Sequence, residues 1–158
     1  MSRSVVSSHE TRHRAREAAL QILYQWEVGR TDLAQATETF FGEQWPDGEP
    51  PSQELRTFAA ELARDTVVQL STIDRLIAET AERWRPERMA VLDRLILRLG
   101  VCELLQRKGT PEPVIINEAL ELARTFSTED AVRFINGMLD GVRKKLDAQA
   151  RSTHAPST

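Results

Sequence analysis

Ala15, Ala18, Ala19, Ile22, Leu23 and Trp26 recur at i, i+3, i+4, i+7, i+8 and i+11, the spacing that lines one face of an α-helix. The same period returns in Leu55, Phe58, Ala59, Leu62, Ala63, Thr66, Val67 and Leu70, in Val114, Ile115, Ala119, Leu122, Ala123 and Phe126, and in Ala131, Ile135, Met138, Leu139 and Val142. No stretch alternates apolar and polar residues as a half-buried strand would. The apolar residues are mainly Leu, Ala, Ile and Val mixed with Glu and Arg, a helix-forming vocabulary. The expected fold is therefore all-α, a bundle of about six to seven helices.

The punctuation between stripes sets the expected boundaries. Gly29 suits a helix stop, Asp32 can cap a short helix carrying Leu33, Ala36, Phe40 and Phe41, and residues 42–51, with Trp45-Pro46-Asp47-Gly48 and Pro50-Pro51, form the one long loop. Ser52 can cap the next helix, and Ser71-Thr72 break or restart it. Pro86 punctuates, Gly109-Thr110-Pro111 ends the most apolar helix, Pro113 opens another, and Ser127 with Asp130 reads as a capping box before the last. Residues 1–9 are expected to be a flexible N-terminus and 10–146 the folded domain, divided into halves of about 10–70 and 71–146. Residues 147–158 are expected to be a disordered tail.

Charge is unevenly placed. Arg3, Arg12, Arg14 and Arg16 stand against Glu10 in the first 16 residues, a local +3 in a chain whose total is −3, so the remainder carries −6. Clustered arginine suits an anionic partner, phosphate above all, because counterion release favours it. The single cysteine, Cys102, cannot form an intramolecular disulfide and fits a reducing compartment. No apolar run approaches the ~20 residues that span a bilayer, and Met1 to Glu10 lacks the apolar core of a signal peptide. The reading is a cytoplasmic protein with no membrane partner.

Turning each helix by about 100° per residue shows the faces that the core leaves over. Arg12 and Arg16 share one flank of the first helix, Arg14 lies with Gln21 on the other, and Tyr24 falls nearly opposite the core stripe beside Leu20 and Glu17. An outward Tyr beside a Leu suits either a protein interface or a neighbouring helix. Arg94 and Arg98 share a stripe one turn apart, and for Arg94 surface ion pairing is the plainer reading. Asp93 falls among Leu97, Gly100 and Leu104, an odd place for a carboxylate unless a partner covers it or a nearby helix supplies a cation. Phe134 lies toward Asp130, Gly137 and Gly141 at the edge of the last stripe. The two glycines bare one side of the backbone there, for a close helix or a ligand, and the aromatic could stack on an unpaired base or pack at a helix crossing.

A catalytic constellation is not legible. His9, His13 and Glu17 are spaced along one helix side, but the His-Glu-x-x-His order is missing, and His13 fits a cationic edge better than a metal site. Cys102 sits in an apolar helix and reads as a core thiol. Asn117, Glu118 and Glu121 with Arg124 read as a solvated face. There is no Gly-rich phosphate loop and no Gly-x-Ser-x-Gly. The chain is expected to be neither an enzyme nor a cofactor binder.

Three stretches together resemble the NusB family of bacterial transcription antitermination factors: Arg14-Ala15-Arg16-Glu17-Ala18-Ala19-Leu20-Gln21-Ile22-Leu23-Tyr24-Gln25-Trp26, then Leu92-Asp93-Arg94-Leu95-Ile96-Leu97-Arg98-Leu99-Gly100-Val101-Cys102-Glu103-Leu104, then Pro113-Val114-Ile115-Ile116-Asn117-Glu118-Ala119 through Leu122-Ala123 to Phe134-Ile135-Asn136-Gly137-Met138-Leu139. The resemblance implies two packed helical subdomains. It implies binding of boxA RNA in ribosomal RNA transcripts together with NusE, a ribosomal small-subunit protein, with other Nus factors and RNA polymerase engaged indirectly. RNA contacts carry over to Arg12, His13, Arg14, Arg16, Arg98, Asp130 and Phe134, and the NusE-facing surface to Tyr24 and Asp93. His13 departs from a slot that is often Arg, and Cys102 from a commonly aromatic one. Some members form homodimers over the arginine-rich surface, which leaves monomer against homodimer open. Two other readings remain: a helical structural or dimeric adaptor, and the NusB-like domain that precedes the catalytic domain of some RNA cytosine methyltransferases. The latter needs a following α/β domain, whereas this sequence stops soon after its last predicted helix.

Overall fold

A computed structural model describes residues 8–46, 48–106 and 109–153, with residue 153 described by its backbone alone. These residues form seven α-helices and no strand: α1 (Ser8–Val28), α2 (Leu33–Thr39), α3 (Gln53–Val68), α4 (Leu70–Thr80), α5 (Val91–Gln106), α6 (Glu112–Phe126) and α7 (Glu129–Thr153). A π-turn over Phe40–Gln44 follows α2, and a 3₁₀ turn over Pro86–Arg88 precedes α5. The all-α expectation holds. The chain divides into two compact units, one ending at Val68 and one beginning at Gln69.

In the first unit α1 packs chiefly on α3. Ala15, Ala18 and Ala19 of α1 and Ala59 and Ala63 of α3 are buried, and side chains this small let two helix backbones approach closely. Ile22, Leu23, Leu55 and Leu62 complete that core. Leu20, expected beside Tyr24 on the outer side, is fully buried, because α1 is covered on more than its alanine stripe. The first helix stops at Val28, but the residue in the left-handed region is Arg30 (φ 50°), not Gly29. Asp32 accepts from the Gln35 N–H and Ser52 from the Leu55 N–H at 3.1 Å, so both expected caps form. The π-turn puts the neighbouring rings of Phe40 and Phe41 into the core, 5.2 Å apart and edge to face. The helix break after α3 comes at Gln69 (φ −98°, ψ 16°), two residues ahead of the expected Ser71-Thr72, and the Gln69 carbonyl accepts the Ile73 N–H to start α4.

In the second unit α5 is the central element, packed by α4, α6 and α7, with Leu95 to Cys102 and Leu104 buried. Gly100 lets α7 come close: a Cβ there would lie 2.9 Å from Leu139 Cδ2. Thr128, not Ser127, caps α7, its hydroxyl accepting from the Ala131 N–H at 3.1 Å. The last helix also runs past Leu146 to Thr153. The expected tail therefore begins as helix, and residues 154–158, like 1–7 of the expected N-terminal segment, lie outside the described residues. The extension needs no core. Asp147, Ala148, Gln149 and Ala150 continue the chain, and Arg143 ties back to Asp140 at 2.7 Å and forward to Asp147 at 3.4 Å. Hydrogen bonds from Arg143 and then Lys144 hold the Asp140 carboxyl below its ordinary value. No helix among the described residues is long and apolar enough to cross a membrane.

Candidate nucleic-acid interface

The arginines at the start of α1 do not form one exposed patch. Each lies over an aromatic ring of its own unit. Arg12 and Arg16 both approach Phe58 of α3, with guanidinium carbons 5.5 and 5.2 Å from the ring centroid. Arg14, on the opposite flank, sits 5.2 Å over Trp45. The periodicity dictates this split, because residues 12 and 16 are one turn apart while 14 lies half a turn away. The burial differs as well. Arg16 is 2% exposed and works as part of the core, whereas Arg12 and Arg14 are half-buried. Arg12 Nε is buried without a hydrogen-bond partner. Stacking of guanidinium on an aromatic face contributes on the order of 0.5–2 kcal/mol and fixes the plane of the cation. His13 pairs with Glu17 one turn on, at 3.1 Å.

The Trp45 side opens into a cleft of 590 Å³ whose walls include Arg14, Trp45, Glu49, Pro50, Pro51 and Glu54. Trp45 is held from behind by Phe40 and Phe41, with centroids 6.1 and 5.9 Å away, and its Nε1 donates to the Glu49 carbonyl at 2.9 Å. Further along α1, Tyr24 is exposed, and Val28 one turn on is exposed too, so the outward apolar pair is Tyr24 with Val28.

In the second unit the expected contacts separate into exposed and withdrawn residues. Phe134 of α7 is 43% exposed. Asp130, one turn before it, is exposed and pairs with Arg133. Gly137 is open, with nothing within 4 Å of where a Cβ would stand, whereas a Cβ on Gly141 would lie 2.5 Å from Thr80 Cγ2. The two glycines therefore serve different ends: Gly141 admits α4, and Gly137 leaves the backbone beside Phe134 bare. Arg98 is 6% exposed and forms a bidentate ion pair with Asp74 of α4, Nε to Oδ1 and Nη2 to Oδ2 both at 2.9 Å. It fastens α5 to α4. Arg94 donates to the Pro86 carbonyl at 2.7 Å. The carboxylate of Asp93 accepts from the Ser127 hydroxyl at the end of α6. Thr128, directly before Glu129, is the residue placed to cap α7.

The side chains that sequence reasoning missed are the companions. The periodicity puts Phe58 on a core stripe and Trp45 in a loop, and neither stripe nor loop composition says which ring an arginine will cover. Asp74, as partner of Arg98, is 24 positions away in sequence, beyond any local rule. Glu118, expected on a solvated face, is buried, because α6 turns that position toward the packed interior. The solvated reading holds for Glu121, which pairs with Arg124 at 2.5 Å. Cys102 is fully buried. Among the described residues no group of three or more His, Cys, Asp or Glu could hold a metal ion.

Comparison with known proteins adds a family to this geometry. The model described as "NusB family" matches residues 13–144. The transcription antitermination protein NusB of Koribacter versatilis is 43% identical over 141 residues, covering 89% of this chain and 94% of the relative. Among solved structures, T. maritima NusB superposes with a TM-score of 0.75 at 36% identity, over 85% of this chain and 91% of the other. A chain from a complex of the antitermination factors NusB and NusE with double-stranded RNA superposes with a TM-score of 0.75 at 24% identity, over 85% of this chain and 97% of the other. At that identity the likeness speaks for the fold.

Proposed function

The chain belongs to the NusB family, and from that premise we propose that it is a non-catalytic RNA-binding transcription antitermination factor. It binds boxA RNA of ribosomal RNA transcripts together with NusE and supports processive transcription of those operons in the cytoplasm. Other Nus factors and RNA polymerase are engaged through that complex. Membership over residues 13–144 is the observation that carries the reading. Relatives of this length and identity are named transcription antitermination proteins, and the solved NusB–NusE complex was crystallised with RNA.

The residues divide by what their burial permits. Arg14 offers its guanidinium at the mouth of a cleft, and Arg12 and His13 lie on the same first turns of α1. These three supply the electrostatic contact with phosphate. Phe134 supplies an aromatic face for an unpaired base, and Asp130 beside it can accept from a base amino group. Arg16 and Arg98, carried over as RNA contacts by family resemblance, act at one remove: Arg16 fixes Phe58, and Arg98 fixes α4 against α5. Tyr24, with Val28, is the NusE-facing part of the first unit, and Asp93 that of the second, where its bond to Ser127 holds the carboxylate in place.

A small basic face on an acidic protein gives limited affinity by itself, so NusE is required for tight binding. Fluorescence anisotropy with labelled boxA RNA, a scrambled RNA of equal length, and added NusE tests the proposal. Preference for boxA that strengthens with NusE is expected. Equal binding of both RNAs, or indifference to NusE, would refute it.

A further inference from the structure

The cleft between the start of α1 and the loop before α3 has a chemistry that the charge argument alone does not use. One wall is the indole of Trp45, buttressed by Phe40 and Phe41 and tied through Nε1 to the Glu49 carbonyl. Pro50 and Pro51 continue the apolar lining, and the restricted backbone of two successive prolines stiffens the loop. The Arg14 guanidinium lies over the indole, 5.2 Å from its centroid. Glu49 and Glu54 also line the space, and Glu54 accepts from the Ser8 hydroxyl at 3.5 Å.

This mixture argues against a phosphate buried in the cleft, because two carboxylates oppose one guanidinium there. It suits the heterocycle. A flat base finds an aromatic and guanidinium stack, and carboxylates accept hydrogen bonds from exocyclic amino groups. The volume, 590 Å³, lies within the roughly 300–1,000 Å³ of small-ligand sites. We infer that this cleft holds one unpaired nucleotide of the bound RNA, its base stacked on the Trp45–Arg14 platform and its exocyclic amino group directed to Glu49 or Glu54. The phosphate remains outside, toward the basic first turns of α1. The inference rests on the reading of the protein as an RNA binder and adds a base-selective subsite in the first unit. Adenine, cytosine and guanine satisfy the carboxylates. Uracil carries no exocyclic amino group and can offer them only its ring N3–H, a weaker fit to this geometry.

The test is anisotropy with a 5′-fluorescein-labelled single-stranded boxA RNA, its bases removed one at a time. Wild type is compared with Trp45→Ala and Trp45→Phe in the full chain. Trp45→Ala should weaken binding by roughly tenfold, the loss expected for one stacked base, and Trp45→Phe should recover most of it by restoring an aromatic face. One abasic position should cost wild type about as much and cost Trp45→Ala almost nothing, while every other position costs the two proteins equally. Such coupling separates a lost stack from a loosened loop, which would weaken all positions alike. Replacing the coupled base by uracil should weaken wild type severalfold. Unchanged affinity of Trp45→Ala, or abasic losses that add at every position, overturns the subsite while leaving RNA binding intact. A coupled position that accepts uracil without loss overturns the role of the carboxylates. If wild type does not distinguish boxA from a scrambled RNA, the antitermination reading itself falls, and the subsite with it.

Discussion

The two ends at which RNA contacts were expected are built on opposite plans. At the start of α1 the charges are retained and held over rings: Arg12 and Arg16 over Phe58, Arg14 over Trp45. In the second unit the corresponding cation, Arg98, is taken inward by Asp74, and what stands outside is an aromatic, Phe134, beside an acid and a bare glycine. The α1 end combines cations for phosphate with the Trp45–Arg14 platform for one base, whereas at the α7 end Phe134 serves a base with Arg98 withdrawn. The comparison also shows that an arginine's position in sequence does not decide its office. Arg14 and Arg16 are two residues apart, yet one borders a cleft and the other belongs to the core.

Disturbing the withdrawn cation should have the largest effect. Asp74→Ala leaves Arg98 buried without its carboxylate and should cost about 3 kcal/mol of stability in urea unfolding, through the α4–α5 contact. A loss within 0.5 kcal/mol or so, the ordinary range for surface changes, would mean that the pair contributes little to holding α5 on α4. The glycines of α7 come next. Gly141→Ala drives a methyl against Thr80, whose hydroxyl is held by the Leu76 carbonyl at 2.8 Å and so resists rotation; about 1–3 kcal/mol should be lost. Gly137→Ala meets nothing and should gain about 0.5–1 kcal/mol from helix propensity. Thermal melts of the two variants moving the same way would contradict this assignment. Smaller again in its effect on stability, Phe134→Ala should leave the melting temperature nearly unchanged, since the residue is exposed, and weaken boxA RNA binding by roughly tenfold. A variant that melts early and binds normally would return Phe134 to the core.

Much of this was readable beforehand, and the limits have a physical cause. Helix number, the Asp32 and Ser52 caps and most of the core follow from periodicity and local hydrogen bonding, which act within a turn or two. Several departures involve packing or a partner distant in sequence. Local spacing offers Ser127 as the cap, whereas in the structure Thr128 caps α7 and the Ser127 hydroxyl donates to Asp93, 34 residues earlier. A single apolar stripe leaves Glu118 and Leu20 outside, but both helices are covered on more than that stripe. The end of α7 was misjudged for the opposite reason: a helix can continue on propensity and i,i+4 pairs without anything to bury. At the candidate site the arginines were visible as charge, but Phe58 and Trp45, which decide how each is presented, were not.

The division of labour along the first turns of α1 is the central claim, and the salt dependence of boxA RNA binding tests it most directly. Measured from 50 to 200 mM salt, a range over which phosphate contacts dominate the change in affinity, Arg14→Ala should reduce the log–log slope by about one unit while leaving the fold intact. Arg16→Ala should lower the melting temperature and leave the slope where it was, because a buried guanidinium releases no counterion. The reverse pattern, a slope lost with Arg16 and kept without Arg14, would contradict the account.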